Sequence, residues 1–254
     1  MSYLFNLFVL ILFILIAFFV YHYQYPNVHF LTKSETQYVL EKNSDSYYDR
    51  FTKKDLKSRN IESVDKYKKI IMNNAVNIDN NLRDQIIYCI YKITDYFRKN
   101  KIKMLNNIDI EKYMNLEWKI SLTTGNEYEY GLPHTRNDII MLNKEKCDNY
   151  SPLELCKTLI HEKVHVYQKV IPDFQLYINE NYEKVNKNNN TRSNPDTDDI
   201  VYKNIYSGVK LSCEYDKDSY NVNDVKCTND DVSMEHPYEL IAYKFDKISN
   251  QIMK

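Results

Sequence analysis

Residues 151–170 read SPLELCKTLIHEKVHVYQKV, and the rest of the chain is best read outward from them. Ser151 is a good N-cap, Pro152 fits a first helical turn, and Glu154 stands three residues after Ser151 as a capping-box partner does. The spacing predicts a helix from Ser151 to about Val170, stopped by Pro172. Inside it, His161, Glu162 and His165 form an HExxH pattern. Four residues apart, the two imidazoles project from one face, one turn from each other. That separation suits two neutral nitrogens at about 2.0–2.1 Å from one tetrahedral Zn²⁺. Glu162 is rotated by about 100° from His161, so it is left to accept a proton rather than to bind metal. Leu159, Ile160, Val164 and Val166 surround the motif, as in a helix buried on most sides, where an unliganded histidine is costly. Lys163 departs from the stricter form of the pattern, which prefers uncharged residues between Glu162 and His165. The plain alternative is a helix with two hydrogen-bonded core histidines.

A catalytic zinc site needs a third protein ligand. A metzincin-type extension would place Gly at 168 and His at 171, where this chain has Gln168 and Ile171. The best candidate lies in EHPYELIAY, residues 235–243: Glu239 falls on the first turn of a helix opened by Pro237, and small Ala242 would let that helix approach the first one closely. Asp173, Glu180 and Asp196 are rival ligands. His236 is a candidate alternative ligand or oxyanion donor, with a helix-capping role as the plain reading. Tyr243, one turn after Glu239, could stabilise a tetrahedral intermediate or simply pack. His134 and Arg192 could reach a cleft or be solvated loop residues.

A glutamate on a helix downstream of HExxH resembles the gluzincin class of zinc metallopeptidases. The resemblance covers about residues 153–170 and 235–246 and lacks a thermolysin-like NExxSD motif; 74 residues separate His165 from Glu239, which requires an inserted subdomain. LPHTRNDIIML (132–142) followed by TLIHEKVHVYQ (158–168) is also similar to uncharacterised metallopeptidases of large DNA viruses. The resemblance implies a site in which His161, His165 and Glu239 bind Zn²⁺; Glu162, Tyr243 and His236 are the candidate catalytic residues beside it. It implies that Glu162 takes a proton from zinc-bound water during hydrolysis of a peptide bond. It also implies that an edge strand, Asp138–Leu142, pairs with extended substrate, the plain alternative being a core strand.

Elsewhere the patterns are plainer. Residues 51–72 and 80–99 read as helices, the latter from Ile86, Ile87, Ile90, Ile93, Tyr96 and Phe97 at spacings of three and four. EWKISLT (117–123) alternates as a strand does and Gly125-Asn126 follows as a turn. A helix is expected over 173–186, a loop over 187–199, strands or a hairpin over 200–215, and a last helix from Pro237 to about Ile252. Of the five cysteines (Cys89, Cys147, Cys156, Cys213, Cys227) none forms a CxxC, so a zinc ribbon is not indicated. Cys213 and Cys227 bracket a short polar loop and are the best candidate pair.

The N-terminus differs in kind. Tyr3–Tyr21 is 19 residues with only Asn6 polar, and as a helix it would be roughly 28 Å long, close to a bilayer core. No Lys or Arg precedes it and no A-x-A site follows, which favours an uncleaved anchor over a cleaved signal. The flanks do not fix its orientation. The whole chain of 254 residues carries 34 Lys+Arg and 35 Asp+Glu, a balance that argues against broad nucleic-acid binding. It is 43% hydrophobic, with three dispersed glycines, which excludes a wholly disordered chain, a P-loop and a GxGxxG fold.

The expectation is an α+β zincin-like domain at 51–254, with a small sheet and an HExxH active-site helix. A transmembrane anchor at 1–23 and a juxtamembrane stalk at 24–50 precede it. Its expected function is that of a single-pass, membrane-anchored zinc metallopeptidase acting on a peptide or protein substrate. The runner-up is a catalytically inactive, membrane-tethered interaction protein of the same fold.

Overall fold

The structure, a computed structural model, describes residues 26–125, 131–216 and 224–253, together with Leu7, Val9 and Ile11. β1 (Val28–Phe30) leads into α1 (Lys33–Lys42), α2 (Lys53–Ser58), α3 (Val64–Asn74) and β2 (Ala75–Val76). The long α4 (Asn80–Asn100) is followed by a hairpin of β3 (Met104–Leu105) and β4 (Ile108–Asp109), then α5 (Ile110–Asn115) and β5 (Trp118–Thr123). β6 (His134–Arg136) and β7 (Ile139–Asn143) precede α6 (Lys144–Asn149) and α7 (Pro152–Val170). After α8 (Pro172–Asn181) come β8 (Tyr182–Val185), β9 (Val201–Asn204), β10 (Lys210–Leu211), β11 (Cys213–Tyr215) and β12 (Val225–Cys227), and the chain closes with α9 (Pro237–Asp246) and α10 (Ser249–Ile252).

The fold is α+β. β5 and β7 are buried along most of their length, so they read as apolar runs, and they pair in parallel, Ile120 opposite Ile140. β1 joins the other edge of β5 in parallel, and β2 follows antiparallel at Leu122–Thr123. Val28–Phe30, within the stretch read as a stalk, is thus a strand of this sheet. α7 packs across the sheet, with α4 on one flank and α9 on another. The amphipathic α4 turns Leu82, Ile86, Cys89, Ile90, Ile93 and Phe97 into the core. The other sheets are smaller: β8–β9–β10 is antiparallel, and β11–β12 is a ribbon closed by the Cys213–Cys227 disulfide.

Two expectations need correction. No helix among the described residues is long and apolar enough to cross a membrane. The longest of them, α4, spans 21 residues but carries Arg83, Asp84, Lys92, Asp95, Arg98 and Lys99, charges that a bilayer core excludes. The run from which an anchor was read lies outside the described residues except for Leu7, Val9 and Ile11. The preceding transmembrane helix and the single-pass membrane localisation are therefore withdrawn.

The second correction concerns Asp138–Leu142. The segment is not at the sheet edge, because β7 is flanked by β5 on one side and by β6 on the other, antiparallel, with Thr135 opposite Ile140. The hairpin turn depends on Asn137 at φ 54°, a conformation Asn tolerates better than most residues. β6 is the edge strand, and its outward backbone groups at Thr135 are already satisfied: the N–H donates to Asp196 Oδ1 at 2.6 Å and the carbonyl accepts from Lys169 Nζ at 2.6 Å.

Several boundaries also move. Residues 51–72 split into α2 and α3 around Asn60, at φ 53°, with Ser63 capping the second helix. The helix expected to Asn186 ends at Asn181 and continues as β8. The last helix breaks between Asp246 and Ser249.

Candidate metal centre

The site is built on α7 and α9. α7 starts where its sequence dictates: Ser151 Oγ accepts from the Glu154 N–H at 3.2 Å, and Glu154 Oε2 accepts from the Ser151 N–H at 2.7 Å. His161 and His165 then fall one turn apart on the face turned toward α9. Ala242 on α9 is fully buried, and this small side chain lets the two helices approach closely. Glu239, on the first turn of α9, faces both imidazoles.

The three ligating atoms form a triangle. His161 Nε2 and His165 Nε2 are 3.1 Å apart, and Glu239 Oε2 lies 3.4 Å from the first and 3.6 Å from the second. Ligands at about 2.05 Å from a tetrahedral cation are separated by about 3.3 Å, so the triangle has the dimensions of one face of a zinc coordination shell. Among the described residues, His161, His165 and Glu239 are the group of His, Cys, Asp or Glu side chains that could hold a metal ion.

Their tautomers point the same way. His161 Nδ1 faces Asp246 Oδ1 at 3.2 Å, and His165 Nδ1 faces Gln168 Oε1 at 2.8 Å. Gln168 is oriented by its amide nitrogen, which donates to the Tyr238 carbonyl at 3.0 Å. Both partners of Nδ1 are acceptors, so in the neutral rings the proton sits on Nδ1 and the Nε2 lone pairs converge with Glu239. Lone pairs so close together need a cation or a proton between them. In the metal-free protein a proton takes that place. Burial opposes charge on His161, but the hydrogen bonds of Asp246 and Glu239 outweigh it and hold its pKa well above the ordinary histidine value. For His165 burial is likewise outweighed, chiefly by the Glu239 charge. Burial would raise the pKa of Glu239, but the two imidazoles hold it well below the usual carboxylate range.

Glu162 is buried on the same helix and lines the same cleft. Burial, reinforced by the nearby Asp196 carboxylate, lifts its pKa to about 8. Thr135 on β6 donates its hydroxyl to Glu162 Oε2 at 3.0 Å, so the sheet edge orients the proposed base. The cleft has a volume of about 350 Å³. Leu132 and Pro133 line one side, and Val232 and Tyr243 contribute further apolar surface. The Tyr243 ring packs edge-on against His161, with centroids 4.9 Å apart, while the residue stays 37% exposed. Burial, with the carboxylates of Glu239, Asp246 and Glu235 adding to it, raises the phenol pKa, so Tyr243 remains a proton donor at neutral pH.

Other candidates are placed elsewhere. His236 caps α9: its Nδ1 accepts from the Tyr238 N–H at 3.2 Å and its Nε2 bonds Asp198 at 2.9 Å. Both ring nitrogens are used, so neither the ligand nor the oxyanion role has a free atom there. Arg192 reaches the cleft but forks onto Glu235. His134 is buried, with Nδ1 against the Leu132 carbonyl, and burial lowers its pKa to about 4. Among the rival ligands, Asp173 pairs with Lys112, Glu180 is exposed, and Asp196 lines the cleft with Oδ1 on the Thr135 amide, outside the converging group. Lys163 leaves the cleft: its ammonium donates to the carbonyls of Leu116 and Glu117 at 2.7 and 2.6 Å and sits over the Trp118 ring. Burial lowers its pKa to about 7.

Four supporting residues went unseen in the sequence. Asp246 carried a signal, lying two turns after Glu239 on one helix, and so did Gln168, three residues after His165. Thr135 and Asn194 carried none, because their contacts join segments far apart in the chain. Comparison with family models, characterised proteins and solved structures gives no match.

Proposed function

We propose that this protein is a zinc-dependent metallopeptidase of the gluzincin type, in which His161, His165 and Glu239 hold the metal and Glu162 is the general base. One observation carries the reading. Two imidazole nitrogens and a carboxylate oxygen converge at 3.1–3.6 Å, in a cleft that also receives a buried carboxyl held near neutral pKa. When bound, Zn²⁺ supplies Lewis acidity toward a carbonyl and a water.

The chain's own groups do the rest. Glu162 takes the proton of the attacking water and passes it to the departing amine, and a cation held by the three ligands would favour the ionised form that this first transfer needs. Thr135 fixes the Glu162 oxygen that faces it, and Asp246 and Gln168 keep the two ligand rings in their metal-binding tautomer. Tyr243 donates to the carbonyl oxygen as negative charge develops on it. With the β6 backbone at Thr135 already bonded, an extended substrate is held chiefly by the cleft walls.

The test has two steps on the full chain. Mass spectrometry should find about one zinc per chain, lost in His161→Ala. A broad peptide library should then be cut by wild type and left intact by Glu162→Gln. A zinc-loaded wild type that cuts nothing would replace this reading with that of an inactive interaction protein. A folded chain that takes up no zinc would remove the metal site itself.

A further inference from the structure

Arg192, Asn194 and Asp196 line the cleft, and Asn194 reaches the proposed metal ligand Glu239. Asn194 is 2% exposed. Its amide nitrogen donates to Glu239 Oε1 at 3.0 Å and to Glu235 Oε2 at 3.0 Å, which uses both of its hydrogens. Its Oδ1 accepts from the Asp196 N–H at 2.9 Å, so the amide cannot turn over without losing all three bonds. Glu235 is in turn held by the Arg192 guanidinium through Nε, at 2.9 Å, and a terminal nitrogen. Arg192, Glu235, Asn194 and Glu239 therefore form one hydrogen-bonded chain that ends at the metal triangle.

The two oxygens of Glu239 are thereby given different tasks. Oε1 is committed to Asn194, and only Oε2 faces the histidines. A carboxylate so fixed offers one oxygen at the spacing a four-coordinate cation requires. A free one can rotate or chelate with both oxygens, which suits larger cations with more ligands. Asn194 also puts a neutral donor between the carboxylate of Glu235, which precedes the His236 cap, and that of Glu239 on the first turn of α9.

We infer that Asn194 is a positioning residue for metal binding, presenting Glu239 as a one-oxygen ligand. The inference rests on the metal-site reading above. It touches neither the reacting atoms nor the cation, so its signature is metal affinity rather than fold.

The experiment measures zinc affinity of the full chain by competition with a chromophoric chelator, and thermal unfolding of the same proteins stripped of metal. Asn194→Ala should bind zinc about 10–100-fold more weakly, the usual effect of losing a partner that orients a ligand. Thr197→Ala serves as control, because it loosens the same loop through the Thr197 hydroxyl bond to the Asn194 carbonyl without touching Glu239. It should stay within about twofold of wild type, by the same reasoning. If Asn194→Ala fails to fold, Asn194→Ser takes its place, since its hydroxyl is too short to span both carboxylates. Unchanged zinc affinity in the Asn194 variant, or an equal loss in Thr197→Ala, overturns the proposal. A wild type that binds no zinc fails at the earlier step and overturns the metal site on which the proposal depends.

Discussion

Gln168 accepts the Nδ1–H of His165 at 2.8 Å while its own amide donates to the Tyr238 carbonyl on α9. One side chain thus sets a ligand's tautomer and ties the two site helices together. Gln168→Leu keeps a long side chain of good helix propensity and loses the acceptor. Zinc affinity should fall about 10–100-fold. Gln168→Glu restores an acceptor for the ring N–H but loses the donor to the Tyr238 carbonyl, so it should recover only part of the loss. Competition titration of both variants checks this, and a Leu variant with undiminished affinity would refute the assigned tautomer.

Glu162→Gln should abolish hydrolysis and leave zinc content unchanged. It should also alter how the metal-free protein responds to pH. The Glu162 pKa rises from about 4.5 in the unfolded chain to about 8 when folded. Between those values the unfolded chain has released the proton and the folded chain has not, so stability falls as pH rises through this window and levels off above it. The Gln variant lacks this slope. Unfolding free energies from urea titrations at pH 5 and pH 8, with chelator present, should differ more in wild type than in the variant, by an amount on the order of a few kcal/mol.

Zinc uptake should weaken in acid, and earlier than an ordinary histidine would suggest. Asp246 and Glu239 hold the His161 proton in the metal-free state well above the usual histidine pKa, and zinc must displace it. Calorimetric titrations between about pH 6 and pH 8.5, in buffers of different ionisation enthalpy, should show proton release on binding and a steady loss of affinity toward low pH. Binding without proton release would contradict the arrangement at Nε2.

The Cys213–Cys227 bridge closes a loop with a sequence separation of 14. Closing a loop of that size restricts the unfolded chain by about 3 kcal/mol. Cys213→Ser should lower the chemical unfolding free energy by roughly that amount, and reductant should have the same effect on wild type and none on the variant.

The legible parts of the sequence were those in which a local pattern carries a physical demand. Ser151, Pro152 and Glu154 announce the start of α7, and the four-residue spacing of His161 and His165 places them on one face. Glu239 could be picked out because Pro237 opens a helix two residues earlier. What stayed hidden depended on distant partners. Whether Ile139–Leu142 is a central or an edge strand is decided by β6, and a burial pattern alone does not count a strand's neighbours. Asn194 sits in a polar run where nothing local separates it from Asn189 or Asn190. Lys163 reads only as a departure from the stricter motif, yet it satisfies two carbonyls at the entrance to β5. Its long stem carries the charge to acceptors that the pattern of α7 does not reveal.

The bonding of Thr135 to Asp196 and Lys169 has a consequence for the chain in company. An open strand edge invites a second copy to zip onto it, and proteins blunt such edges with charges and coverings. Here one acidic and one basic side chain imitate the missing neighbour, each filling the half of the peptide group it matches. A strand from another molecule would have to break both bonds, at 2.6 Å each, before it could register against β6. At the high local concentrations of synthesis, this arrangement steers the chain away from edge-to-edge stacking.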